Sequence, residues 1–321
     1  MKHRRIILIG AALMMALACR MAQAWNSIGH MSVAYAAYQK LSPAEKARVA
    51  VLLQLNPDYK EWLTYIPSGT SDADRDMYVF MMAATWPDEI KAMGSHLVGT
   101  DTPPRGELAS LNDGYSALKT HKYWHFSNLP LGGDTANPAP LSVPTVTQKI
   151  TAFRAALATN EADALKSYDL VWLIHMVGDV HQPLHCATRV SAANPKGDEG
   201  GNLVVVNGPA KELHAFWDGA LGDGETKNFM TAVKVGETLP QPDGGLVSDD
   251  KEDDWAAESY ALAKSSVYVD PVGPGLGPVT VTAAYTANAQ LIAQERVALA
   301  GARLANLLKT ALQCGDQTCA N

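Results

Sequence analysis

Beyond its first 24 residues this chain of 321 residues has no apolar run near the roughly 18 that a membrane-crossing helix needs, so no membrane anchor is expected in its body. It has no internal repeat and no coiled-coil heptad, which excludes a solenoid or a long rod. Nowhere does it carry an Asn-x-Ser/Thr sequon with a permitted middle residue, a lack that fits bacterial export better than a eukaryotic secretory route. Basic residues are in deficit, 26 against 33 acidic ones, which argues against a protein that coats duplex nucleic acid. Cysteine is scarce, at positions 19, 186, 314 and 319 only. Cys314 and Cys319 lie close enough to pair in an exported protein, and Cys186 is left over as a small buried side chain or, less simply, a metal ligand beside His185.

What is present begins with a leader. Lys2, His3, Arg4 and Arg5 form a basic n-region, Ile6 to Ala18 an apolar h-region, and Ala22-Gln23-Ala24 a small-x-small cleavage site. Residues 1–24 therefore read as a signal peptide and 25–321 as the exported domain, secreted or periplasmic, with Trp25 as its first residue. Lipoprotein processing at Cys19 fits Ala16-Leu17-Ala18 poorly. Losing Lys2, Arg4, Arg5 and Arg20 would take 26 basic residues to 22 against 33 acids, a net −11.

About 300 residues at 47% hydrophobic composition can bury a large core, and no linker divides them. Helices are expected after His30 to Tyr38, from the Ser42-Pro43-Ala44-Glu45 start to about Leu55, and over 72–84, closing at Trp86-Pro87-Asp88. Further helices are expected over 108–119, 145–158, 162–179, 211–219, 253–264 and 281–312. Residues 94–106 and 131–144 read as loops. Leu203 to Val206 is the clearest strand and Asn207-Gly208 a hairpin signal. The expectation is a single, mainly α, multi-helix domain with one small β-hairpin.

The chemistry concentrates in Leu173-Ile-His-Met-Val-Gly-Asp-Val-His-Gln-Pro-Leu-His185. At about 3.6 residues per turn, His175 and Asp179 project from one helix face. Pro183 ends the helix and lets His185 come round. His214-Ala-Phe-Trp-Asp218 repeats the pairing. An imidazole and a carboxylate on one face, with a second imidazole past the break, make a metal-ligand geometry; a hydrogen-bonded polar cluster is the other possibility. Taken singly, His30 and His125 could be ordinary histidines and Asp88 a helix cap.

Together these residues resemble the zinc-dependent single-strand-specific nucleases, the S1/P1 type, with zinc phospholipase C as a distant relative. The resemblance runs through Trp25-x4-His30, Trp86-Pro-Asp88, Trp124-His125, His175-x3-Asp179-x5-His185, Gly200-Gly-Asn202, His214-x3-Asp218, Glu258-Ser259 and Ala300-Gly-Ala-Arg-Leu304. It implies a phospholipase C/nuclease-type fold with a cleft holding three zinc ions. Asp88, His125, His175 and Asp179 would hold one. Asp179, His30 and Trp25, through its α-amine and carbonyl, would hold a second, and His185, His214 and Asp218 a third. An α-amine of pKa near 7.7–8 yields its proton to zinc readily, so cleavage after Ala24 would complete the second site.

The implied reaction is hydrolysis of single-stranded DNA and RNA to 5′-nucleotides, with 3′-nucleotidase activity as an addition; a monomer is the default expectation. Asp88 would orient the attacking water. Lys91 would meet the phosphate unless it is a solvated surface lysine, and Asn202 would contact substrate unless it caps its turn. Glu199 stands where relatives carry a basic residue before Gly-Gly. The alternative, a zinc-dependent phospholipase C, is disfavoured by the short Trp25-to-His30 spacing and by Asp218 in place of a glutamate. His96, His121 and His181 have no assigned role; His181 points off the ligand face, and His121 could be mistaken for His125.

Overall fold

The computed structural model describes residues 25–93, 96, 114–132, 144–191, 194–222 and 228–312. The leader, most of the two long loops, the first part of the helix expected over 108–119, and Cys314 and Cys319 lie outside these residues.

Helix α7 (Asp163–Val180) is the axis of the molecule. From Ser167 to Val180 every residue is buried, because apolar side chains fall on all sides of this stretch and need cover, with Asp169, His175 and Asp179 as its buried carboxylate and imidazole exceptions. The cover comes from α1 (Ser27–Tyr38), α2 (Pro43–Leu53), α4 (Asp72–Ala83), α5 (Trp86–Glu89), α6 (Val146–Leu157), α11 (Glu252–Leu262) and α12 (Ala283–Leu312). Three further helices, α3 (Tyr59–Tyr65), α9 (Phe229–Glu237) and α10 (Gly244–Ser248), were not evident in the sequence; α9 packs on α1 and α10 on α12.

The helix starts follow their caps. Ser42 Oγ accepts from Glu45 N and Glu45 Oε2 accepts from Ser42 N, a reciprocal capping box that opens α2. Thr145 and Gln148 do the same for α6. We expect Ser42→Ala to cost about 1 kcal/mol, read as a lower denaturation midpoint with the metal content unchanged.

The β-structure differs from the expected hairpin. Leu203 N and Val204 N are spent on the carbonyls of Asp198 and Gly201, so the turn before them prevents a strand from starting. The chain does reverse, with Val206 N on Lys211 O and Leu213 N on Val204 O, but only as the isolated bridge of Val205 with Glu212. The two-stranded sheet is parallel, β1 (Leu129–Leu131) against β2 (Ala187–Arg189). Each strand lies shortly after a 3-10 turn, Lys122–His125 in one case and Pro183–His185 in the other. The ribbon thus joins the His125 turn to the His185 turn, beginning with Ser127 N on His185 O at 2.8 Å.

A second, smaller apolar cluster gathers Leu184, Val204, Leu213, Trp217, Val267, Val272, Val279 and Tyr285. The short helix α8 (Leu213–Asp218) lies with it, at the junction with the main core.

Candidate metal centre

The histidines and aspartates singled out above converge in three buried groups: His30, His175 and Asp179; Asp88, His125 and His175; and His185, His214 and Asp218. The Asp179 carboxylate joins the first two. Its Oδ1 is 3.4 Å from His30 Nε2 and 3.3 Å from His175 Nε2, and its Oδ2 is 2.8 Å from His125 Nδ1. Asp88 Oδ1 lies 3.7 Å from His175 Nε2 and 4.0 Å from His125 Nδ1.

Carbonyl oxygens set the imidazole tautomers. His175 Nδ1 donates to Ala84 O at 2.7 Å, His185 Nδ1 to His125 O at 2.8 Å, and His214 Nδ1 to Gly200 O at 2.7 Å. A neutral imidazole has one N–H, so each of these rings turns a bare Nε2 inward. His185 Nε2 and His214 Nε2 then face each other at 3.1 Å with no proton between them. Two buried acceptors aimed at one point need a cation there. His30 makes the same demand: both of its ring nitrogens, and Asp179 Oδ1, are buried without a hydrogen bond among the described residues. Imidazole and carboxylate together are a donor set that suits zinc, so the residues fit the ion the resemblance implies.

Burial keeps the imidazoles neutral and ready to bind. It holds His30, His125 and His185 well below the usual histidine range, and pushes His175 to about 3, with the nearby Lys91 ammonium adding to the effect. Burial raises the Asp179 carboxyl well above the ordinary value, and the Asp88 charge adds to it. Burial also raises Asp218, against a hydrogen bond from Gln182. Neutral donors and reluctant carboxylates side by side in buried groups are what a cation would resolve.

Two glycines make the geometry possible. On Gly178 a Cβ would come 2.8 Å from His30 Nδ1, so only glycine lets α1 bring His30 against α7. Gly178→Ala should favour the helix by up to about 1 kcal/mol yet displace His30. The expected outcome is a folded variant with less bound zinc per chain, checked by metal analysis. Gly200 has φ +63°, and a Cβ there would collide with the Leu184 carbonyl. Its backbone turns the carbonyl onto His214.

The remaining predicted residues sort as follows. Trp25 is fully buried and lies against Gly29 and Gly178. Lys91 is no solvated lysine: it is 6% exposed and its Nζ contacts Asp88 Oδ1 at 2.6 Å. Asn202 Nδ2 donates to Glu199 O at 2.7 Å, so its amide nitrogen does cap the turn. Glu199 is exposed at φ +54°. His121 stacks flat on Trp124 at 3.5 Å, half-buried His96 meets Trp86 edge-on, and neither joins a cluster; Cys186 is buried and its thiol is pushed up to about 12. Sequence reasoning missed two neighbours of the third group. Gln182 Nε2 holds Asp218 Oδ1 at 2.6 Å, and the half-buried Phe126 ring stacks on His185 at 4.5 Å. Their places beside Pro183 and His125 were the available signal.

A protein-family model described as S1/P1 Nuclease matches residues 25–313. Among curated proteins the chain is similar to Nuclease S1 of Aspergillus oryzae, 25% identical over 164 residues, which is 46% of this chain and 54% of that protein. It is also similar to Endonuclease 4 of Arabidopsis thaliana, 32% identical over 78 residues, 22% of this chain and 24% of that protein. The chain thus spans about half or less of the length of these relatives.

Proposed function

The chain belongs to the S1/P1 nuclease family, and from that premise we propose that it is an exported, zinc-dependent phosphodiesterase cutting single-stranded DNA and RNA to 5′-nucleotides, with 3′-nucleotidase activity. The observation that carries the zinc reading is the pair of bare Nε2 atoms, on His185 and His214, 3.1 Å apart in a buried site.

In this reading Asp88, His125, His175 and Asp179 hold one ion, and Asp179, His30 and the Trp25 amine and carbonyl a second. His185, His214 and Asp218 hold the third. Bound zinc supplies Lewis acidity toward phosphoryl oxygens and brings the pKa of water from about 15.7 toward 7. The chain's own groups do the rest. Asp88 orients the attacking water and accepts its proton. Lys91, held on Asp88 Oδ1 at 2.6 Å, sets its ammonium charge beside the place of the phosphate. Asn202 has its amide nitrogen on Glu199 O, which leaves the side-chain oxygen for a donor on the base. The half-buried Phe126 ring is a surface on which an unpaired base can stack, which favours single strands over duplex.

The match from residue 25 onward supports cleavage after Ala24 and export, the lack of sequons supports a bacterial, secreted or periplasmic protein, and a monomer is the default state. The test is to offer the purified protein the same strand single and paired, together with phosphatidylcholine. The account expects 5′-phosphate products from the single strand well ahead of the duplex. Equal cutting of duplex would remove the single-strand reading, and release of phosphocholine alone would move the protein to the phospholipases.

A further inference from the structure

The zinc reading uses His175, Asp179 and His185 and passes over His181, which lies between them in the chain. His181 is fully buried. Its Nδ1 donates to Val177 O at 2.8 Å, so its Nε2 carries a lone pair, and that lone pair takes a bond from Arg303 Nη1 at 2.9 Å. Guanidinium is donor-only, which fixes the direction of the bond. One potential ligand of the central stretch is thereby withdrawn from the metal.

Arg303 is itself held on every side. Nη1 and Nη2 reach Glu258 Oε2 and Oε1 at 2.8 and 2.7 Å, and Nε and Nη2 reach Leu246 O at 3.0 and 2.8 Å. Arg296 completes the frame, with Nε on His181 O at 3.2 Å, Nη1 on Glu258 Oε2 at 2.8 Å and Nη2 on Ser259 Oγ at 3.0 Å. Ser259 Oγ in turn donates to Val180 O. The carbonyls of Val180, the last residue of α7, and of its cap His181 are thus taken by side chains from α11 and α12. Two guanidiniums beside one carboxylate also set positive charge at the negative end of the helix dipole.

This turn decides where the ligands point. Asp179 lies within the last turn of α7, His185 just beyond it, and Gln182, next after the cap, holds Asp218. We propose that Arg303 is a positioning residue for the metal centre, acting through His181. It fixes the last turn of α7 so that Asp179 and His185 face their separate groups, and it keeps the His181 lone pair out of the site. The proposal rests on the zinc reading above.

The test compares Arg303→Lys, His181→Gln and His181→Asn with the unaltered full chain, using zinc affinity in a chelator competition and the visible spectrum of the cobalt-substituted protein. Lysine keeps the charge and loses the fork. Glutamine keeps an acceptor near the place of Nε2, whereas asparagine mimics the Nδ1 side and loses it. Arg303→Lys and His181→Asn should weaken zinc binding by about 10- to 100-fold and shift the cobalt bands. His181→Gln should stay close to the unaltered protein. Unchanged affinity and spectrum in the Lys and Asn variants, with only a lower melting temperature, would overturn the proposal, as would equal losses in Gln and Asn. If Arg303→Lys does not fold, the His181 pair decides. An unaltered protein that takes up neither metal would overturn the zinc reading as well, an outcome distinct from loaded protein with indifferent variants.

Discussion

Asp179→Asn should lower phosphodiester hydrolysis by roughly three orders of magnitude or more while leaving the helical content unchanged. The carboxylate stands between His30, His175 and His125, with one oxygen toward two imidazoles and the other toward the third. An amide of the same shape removes the negative charge shared by two ion sites. Several kcal/mol of charge stabilisation then disappear, at tenfold in rate for each 1.36 kcal/mol or so. The fold should survive because the side chain is buried against polar neighbours rather than packed in the apolar core, and because an uncharged group suits the metal-free cavity better. Rate measurements on single-stranded DNA, with circular dichroism and zinc content on the same sample, check this. Asp218→Asn should reduce only the third group and leave two ions bound. Equal loss of all zinc in both variants would show that the sites are not separable.

Chelation should have the second large effect, on stability and on its pH dependence. At free zinc about 1,000-fold above Kd, one site contributes about 4 kcal/mol, so emptying two or three should lower the melting temperature by roughly 10 °C or more. The pH dependence of the metal-free chain follows from the shifted groups. His30, His125, His175 and His185 have folded values below the unfolded 6.5, as does His181. Each contributes stability that is present above about 6.5 and lost as pH falls toward its folded value, about 3 for His175. Asp179 and Asp218 have folded values above the unfolded 3.8, so their contribution is present below it and lost as pH rises through the folded values. Five imidazoles outweigh two carboxylates. The metal-free chain should therefore lose stability as pH is lowered from 6.5 toward 4, with a slope softened by the carboxylates. A melting series with and without chelator reads both effects, and a metal-free chain that grew more stable on acidification would show that the carboxylates dominate.

Part of the candidate ligand set was legible from spacing, while His30, Asp88 and His125 stood out only through the family resemblance. His175 and Asp179 at i, i+4, the Pro183 break and the repeated His214/Asp218 pair all follow from helix geometry. The structure brings His175, Asp179, His185, His214 and Asp218 into buried His/Asp groups. What escaped was contact across the chain. The Ala84 carbonyl that sets the His175 tautomer lies 91 residues away, and nothing local marks it. The parallel ribbon of Leu129–Leu131 with Ala187–Arg189 has only three residues per strand and no alternation, so it could not be read. Leu203 to Val206 failed as a strand for a reason equally remote from composition: the preceding turn had already used its donors. Lys91, read either as a phosphate contact or as a solvated lysine, is a buried ion-pair partner of Asp88, because a helix start places Asp88 three residues before it.

The most direct test of the account is nucleotide release from single-stranded DNA by protein whose N-terminus is verified as Trp25, before chelation, after it, and after zinc is restored. The account predicts release that stops with the chelator, returns with zinc, and accompanies about three zinc ions per folded chain. Release that continues undiminished in a metal-free chain, or none from a chain carrying its full zinc, would contradict it.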